Sequence, residues 1–337
     1  MATLGGGALG EVSSSPRSLR SICEAKPEYI RVNLSHTTEK EAEQVVSFVR
    51  TQFPDIRILF DLQGAKIRVS AKARAMEVKK GDKVIFIDEA RFQAAQKQSL
   101  GYAGVLVPVA APFPFATLQR AVCVRMKDAT MEFQIEKNEA EDKGFIACMT
   151  VRGGMIRPEK GMNAPGITRP HGYLPPQDIS DLKLALRLRP DAICVSFVTS
   201  AGDMEIAKQA ADRSDYKPEW WAKIECQDGI DSLEEICPSA DVILVGQGDL
   251  AGELGREAVH AVAVAIAQKV VACGKPCYVG TGVLKSLTKG TTPDPTELKK
   301  INEFLRIGVR GFLLTSETSI GHSPVAAIDA VRRLKAE

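Results

Sequence analysis

VILVGQGDLAGELGREAVHAVAVAIAQKVVACGKPCYVGT, residues 242–281, reads as a strand, a helix and a second strand in succession. VILVG (242–246) and PCYVGT (276–281) are short apolar runs. Between them, AVHAVAVAIAQKVVACG (258–274) repeats apolar residues at the i, i+3, i+4 spacing of an amphipathic helix. Strands that alternate with helices form βαβ units and a parallel sheet. Outward from this unit the pattern recurs, in MATLG (1–5), YIRVNL (29–34), IRILFDL (56–62), AICVSF (192–197), WWAKIEC (220–226) and GFLLTS (311–316). Helical patterns such as DISDLKLALRLR (178–189) lie between most of them. Eight such units close a (β/α)8 TIM barrel. An open doubly wound sheet is the competing arrangement, and no GxGxxG opens any of the helices to favour it.

The alternation breaks once. GDKVIFIDE (81–89), AVCVRMKDATMEFQIE (121–136) and GFIACMTVRGG (144–154) are strand-like, separated by turn residues and without a long amphipathic helix. They predict a small inserted β-rich lid domain over 69–165, which divides the barrel into an N-terminal segment (1–68) and a C-terminal segment (166–337). The Gly- and Pro-rich joint PEKGMNAPGITRP (158–170) suits a hinge, and a lid closing over the barrel mouth is a natural use for such an insertion.

Bulk properties narrow the function. The 337 residues have room for one large domain and a smaller one. Forty-four Lys+Arg against 42 Asp+Glu leave no basic surface for nucleic acid. No run of about 18 apolar residues suggests a membrane span, and MATLGGGALG lacks the pattern of a signal peptide. The eight cysteines contain no CxxC pair, and Cys194 in AICVSF lies in an apolar run. They read as small buried hydrophobes of a reducing compartment, the cytoplasm.

In such a barrel the reacting groups stand at the C-terminal ends of the strands. Those ends carry Asn33, Ser35, Asp61, Ser196, Lys223, Glu225, Asp249, Thr281 and Glu317, more polar groups than packing requires. In WAKIECQDG (221–229), strand alternation puts Lys223 and Glu225 on the same inward face. A buried cation and carboxylate need a partner or a metal. Two readings follow: an ion pair between them, or a metal site shared with Asp249 at the end of the next strand. Two carboxylates from adjacent strand ends suit Mg2+ or Mn2+, leaving positions for substrate oxygens and water. Lys223 alongside would stabilise charge on a phosphoryl or enolate oxygen. In GQGDLAGELG the glycines Gly246 and Gly248 admit backbone N–H groups to an anion; with Ser196 and Thr281 they form a cradle for a carboxylate or phosphate. RVNLSHT (31–37) and FDLQGAKIR (60–68) add Arg31, His36, Lys66 and Arg68. These either suit a polyanionic substrate or are ordinary loop charges. His171, His260 and His322 have no metal-ligand spacing.

RVNLSHT, DLQGAKIRVS, EKGMNAPG, AKIECQDGIDSLEEI, QGDLAGELG, GKPCYVGTGVLKSL and LLTSETSIGHSPVAAI, in this order, resemble the motifs of the pyruvate kinase family. The resemblance runs from residue 2 to the final helix. It implies a phosphotransferase acting on phosphoenolpyruvate or pyruvate with ADP/ATP and Mg2+ (or Mn2+), the glycolytic kinase reaction. It implies that Lys223 stabilises the phosphoryl transition state, that Glu225 and Asp249 hold the metal, and that Thr281 lies by the enolate face where the proton is delivered. Arg31 would bind the phosphoryl group, and His36, Arg68, Lys160 and Asn33 would approach the nucleotide. In the family a monovalent cation is held at the positions of Asn33, Ser35, Asp61 and the Leu62 carbonyl. Members needing K+ carry Glu where this chain has Lys66, so the resemblance implies that a tethered ammonium replaces K+ here.

The sequence departs from the family pattern at Gln247 before the metal aspartate, at Gly280 and Gly282 around Thr281, at Val198 and Thr199 after Ser196-Phe197, and at Lys127-Asp128-Ala129 in the lid. It ends without the family's further C-terminal domain, which leaves barrel-to-barrel homo-oligomers compatible and effector control of the usual kind unexpected. Gln247, Thr199 and Gly282 give substance to a second reading, a metal-dependent lyase or aldolase working through a pyruvate enolate. A third, a paralogue that only binds partners, conflicts with the retained Lys223, Glu225, Asp249 and Thr281.

Overall fold

The computed structural model describes residues 1–4, 18–97, 101–213 and 215–336. Eight strands make the barrel: β1 (Ala2–Thr3), β2 (Tyr29–Asn33), β3 (Arg57–Asp61), β4 (Ala192–Val195), β5 (Glu219–Ile224), β6 (Val242–Gly246), β7 (Cys277–Gly280) and β8 (Gly311–Leu313). They pair in chain order, all parallel. The ring closes where Ala2 bridges Leu314 and the Thr3 N–H donates to the Leu314 carbonyl at 3.1 Å. Sequential order and closure rule out the doubly wound alternative. No described helix is long and apolar enough to cross a membrane.

Strand alternation divides the barrel into two cores. Ile30, Val32, Ile58, Phe60, Ile193, Ala222, Ile224, Ile243 and Val279 face outward and pack under the helices. Helix Val259–Ala272 contributes Ala263, Ile266, Ala267 and Val270 to that layer. Tyr29, Leu59, Cys194, Trp221, Val242, Leu244 and Tyr278 face inward. Trp221 is the centre of this floor, with ring centroids 5.3 Å from Tyr29 and 4.6 Å from Tyr278. The polar tips of these rings reach the barrel bottom: Trp221 Nε1 and Tyr29 OH both donate to Glu219 Oε2 at 2.8 Å, and Tyr278 OH donates to Glu28 at 3.0 Å. One strand repeat further along, the inward positions turn polar: Arg31 follows Tyr29, Asp61 follows Leu59, and Lys223 follows Trp221. An aromatic plug therefore carries the charged mouth on top of it.

The lid sits between β3 and helix Pro176–Leu188. It is a closed seven-stranded barrel in the order Phe145–Arg152, Lys83–Asp88, Val105–Ala110, Ile67–Val69, Gly161–Asn163, Cys123–Met126 and Met131–Glu139. Its core of Val84, Phe86, Val107, Val124, Phe133 and Ile146 is separate from both barrel cores. The first lid strand begins at Ile67, two residues before the expected boundary. Val105–Ala110 has no counterpart in the sequence reading, because Pro108 interrupts its apolar run. Cys273 is exposed and Cys123 half-buried, so the expectation of uniformly buried thiols fails at these two, which lie at a helix end and on a partly solvated lid strand.

The turn out of β3 depends on Gly64. It has φ +68°, and a Cβ there would stand 2.5 Å from the Ser196 carbonyl oxygen. Asp178, in the first turn of helix Pro176–Leu188, accepts from the N–H groups of Gln63 and Gly64 at 3.1 and 3.0 Å. These contacts aim the chain from the barrel into the lid.

Trp221→Ala empties the centre of the floor, and the expected cost is about 3–5 kcal/mol. Denaturant unfolding reads this as a lower midpoint at unchanged m-value. A loss under about 1 kcal/mol would mean that the plug carries no such share of the stability.

Candidate functional site

Asp61 ends β3 with no solvent exposure. Lys223 from β5 donates to its two oxygens at 2.9 and 3.0 Å. Arg31 from β2 donates through Nε at 2.6 Å, and the Ser196 hydroxyl lies 3.0 Å from Oδ1. Burial would raise the Asp61 carboxyl, but Lys223 and Arg31 outweigh it and hold the group down at about 2. Burial likewise works against the charge of Lys223, yet Asp61 and then Glu225 raise its pKa, so it stays an ammonium. Glu225 stands 3.7 Å from Lys223, further than Asp61. Of the two readings, the ion pair within the strand is thus mainly replaced by a pair across strands, Lys223 with Asp61.

Glu225 follows Lys223 on the same face, and its Oε2 accepts from the Phe197 N–H at 3.3 Å. Burial pushes it up to about 7; Lys223 opposes this and Asp249 adds to it. Asp249 lies in the first turn of helix Gln247–Leu254, which starts directly after β6, where the helix dipole favours a carboxylate. Burial opposes its charge too, and Lys66, donating to Oδ2 at 2.8 Å, holds it below the usual range. Between these two acids only glycine fits at Gly246: a Cβ there would be 2.6 Å from Glu225 Cγ. Two hard oxygen donors that repel one another in a buried site fit Mg2+ or Mn2+. Among the described residues no group of three or more His, Cys, Asp or Glu converges as a complete cage. A cation held by Glu225 and Asp249 would therefore keep positions open for substrate.

A cavity of about 120 Å³ in the mouth is lined by Arg31, Asn33, Ser35, His36, Leu62, Lys66, Arg68, Ser196, Lys223, Glu225, Gly246, Asp249 and Thr281. The fold thus gathers almost every residue singled out in the sequence. Asp61 lies beneath Lys223 and Arg31. Lys160 borders an adjoining cleft of about 370 Å³ between lid and barrel, shared with His36, Arg68 and Asp249. Burial, then Arg68, Lys160, Arg31 and Lys66, lower the pKa of His36, so its imidazole is neutral among cations. Arg68 donates to Ser35 Oγ at 3.0 Å, and Ser35 N–H donates to Asn33 Oδ1 at 3.2 Å.

Two placements differ from expectation. The sequence groups Lys66 with the oxygens of Asn33, Ser35, Asp61 and Leu62, but its ammonium pairs with Asp249 instead. Asp61 already has Lys223 and Arg31, whereas Asp249 has no other cation on it among the described residues. Gly248 does not line the mouth; a Cβ on it would point 2.8 Å from Thr281 Cγ2 and 3.2 Å from Asp128 Oδ1. Its segment is helical from Gln247, so successive residues turn by helical steps rather than as a loop.

Thr281 stands at φ +71°, rare for a β-branched residue, and Gln247 Nε2 donates to its carbonyl at 3.2 Å. Thr199 is committed elsewhere, its hydroxyl donating to Asp203 at 2.8 Å. Several contributors escape sequence reasoning. Arg169 and Glu253, both buried, pair at 2.6 Å, and Asn163 donates to Glu253 at 3.2 Å. Asn163 lies within the EKGMNAPG motif; Arg169 gives no signal.

The family model described as pyruvate kinase, barrel domain, matches residues 3–328. Curated relatives named pyruvate kinase from Mycobacterium tuberculosis and Agrobacterium vitis are each 28% identical, covering 97% of this chain and 68% and 66% of their own. One from Thermococcus litoralis is 25% identical, covering 97% of this chain and 67% of its own. The family match thus takes in the lid and runs from β1 into the last helix, so this chain belongs to the pyruvate kinase family.

Proposed function

We propose that the chain transfers a phosphoryl group between phosphoenolpyruvate and ADP with Mg2+ or Mn2+ as cofactor. The supporting observation is the buried set of Arg31 and Lys223 on Asp61, directly beside Glu225 and Asp249. Phosphoryl transfer asks little covalent chemistry of a protein and much positioning and charge. Glu225 and Asp249 would hold the cation, which would supply positive charge to stabilise the transferring phosphoryl group.

The chain's own residues do the rest. Lys223 is fixed by two bonds to Asp61, so its charge is already oriented when charge builds on the substrate oxygens. Arg31 lines the same cavity, its guanidinium held by Asp61 and the Thr3 hydroxyl, and it anchors the phosphoryl group. Thr281, held in a strained backbone by Gln247, positions its hydroxyl at the enolate face. Across the lid cleft, neutral His36 with Arg68 and Lys160 receives the nucleotide phosphates, and the lid over the mouth excludes water. The lyase or aldolase reading leans on Gln247, Thr199 and Gly282; none of them lines the mouth cavity, which supports the phosphotransferase.

Glu225→Gln is expected to weaken Mg2+ binding at least about tenfold in calorimetry. In an assay with phosphoenolpyruvate and ADP it should lower pyruvate formation by about two orders of magnitude. Unchanged Mg2+ affinity would remove these carboxylates from the metal role, and no ADP-dependent pyruvate from the unaltered protein would reject the reaction.

Lys66 brings a permanent positive charge into the mouth, and K+ is accordingly not required. Turnover in K+-free buffer should equal turnover with KCl. Activity recovered only on adding KCl would count against this.

A further inference from the structure

We propose that Lys66 guards the metal-binding carboxylates: its ammonium occupies Asp249 and has to be displaced before that side chain can serve a divalent cation. This rests on reading Glu225 and Asp249 as the metal ligands. The Lys66 Nζ to Asp249 Oδ2 distance is 2.8 Å, with the two side chains only 22% and 16% exposed, so the pair is largely withdrawn from solvent screening.

The position of the ammonium is selected by its surroundings. The last lid strand passes directly over the lysine stem, and a Cβ on Gly161 would meet Lys66 Cε at 2.2 Å. On another side lies the Phe197 ring, 5.7 Å from Nζ to its centroid. The Phe197 N–H donates to Glu225, so one residue touches both the lysine and the other carboxylate. Lys66 thus sits in a slot built from lid and barrel, unlike a solvated surface arm.

Charge makes this occupancy exclusive. Arg31, Lys66 and Lys223 contact Asp61, Glu225 and Asp249, and Arg68 borders the same cavity. A dication added to that set would place two further positive charges next to an ammonium already bonded to one of its ligands. Repulsion at that separation in a partly buried site is strong, so Lys66 leaves Asp249. An anionic substrate arriving in the same cavity gives the released ammonium a new partner, which links the two binding events.

The test is Mn2+ binding, followed by electron paramagnetic resonance of the free ion, without substrate. Lys66→Met is expected to tighten Mn2+ binding about tenfold or more, the scale of one charge-assisted hydrogen bond. Lys66→Gln, which keeps a polar end, should behave alike. Arg68→Met, which removes a nearby charge that makes no bond to Asp249, should tighten binding only about threefold or less. Equal or weaker Mn2+ binding by both Lys66 variants would overturn the proposal, as would an Arg68→Met effect of the same size. Mn2+ binding that is indifferent to Glu225→Gln would instead remove the metal reading on which the proposal rests.

Discussion

A carboxylate with no access to water, Asp61, has to be neutralised from within the barrel. The groups that do so come from three strands at one height. Leu59, Tyr29 and Trp221 occupy the layer below, and one strand repeat above them stand Asp61, Arg31 and Lys223. Removing either cation leaves a buried charge short of a partner, a loss on the order of 3–5 kcal/mol. Closing the barrel and fixing the Lys223 ammonium are consequently one event. Lys223 cannot drift from its place without exposing Asp61, and this gives the site its preorganisation.

Packing charged side chains this densely constrains the backbone around them. Where Glu225 leans toward β6, the facing residue is Gly246; where the Lys66 stem passes under the lid, it is Gly161. A methyl group at either place would displace a charged group by more than its hydrogen bonds tolerate. These glycines therefore follow from the electrostatics of the mouth, although neither has a left-handed backbone.

How much is legible in the sequence follows from the range of each interaction. Period-two alternation along β5 is local, so Lys223 and Glu225 can be put on one face from a few residues of text. The strand ends that form the mouth are legible for the same reason, since apolar runs mark where each strand stops. Partners are not legible. Lys66 meets Asp249 across 183 positions, and no local pattern encodes which carboxylate a flexible lysine will reach. Arg169 and Glu253 are invisible because each looks like an ordinary charged residue until burial is known. Gly248 is misplaced because the helix starts at Gln247, directly after β6, and turns Gly248 toward Thr281 and Asp128. Family motifs supply roles, but geometry decides which group touches which.

The lid belongs to the site as much as the barrel does. Its core is separate from the barrel cores, so it packs as a body of its own. Several of its polar contacts with the barrel reach the helix that carries Asp249, while Arg68 bonds Ser35 and Tyr173 bonds the Pro112 carbonyl elsewhere. Arg125 donates to the Glu253 carbonyl at 3.0 Å, near the C-terminal end of that helix, where a cation is favoured. Asn163 bonds Glu253 on the same helix, and Asp128 packs at its start against Gly248. Polar contacts of this kind exchange with water at modest cost, unlike the apolar contacts inside each domain. A lid displacement would loosen the seat of Asp249 and lift Gly161 from Lys66 while leaving Arg31, Asp61 and Lys223 in place. The Asp61 cluster held by the strands and Asp249, contacted from the lid side, thus divide the site into a half built by the barrel alone and a half completed by the lid.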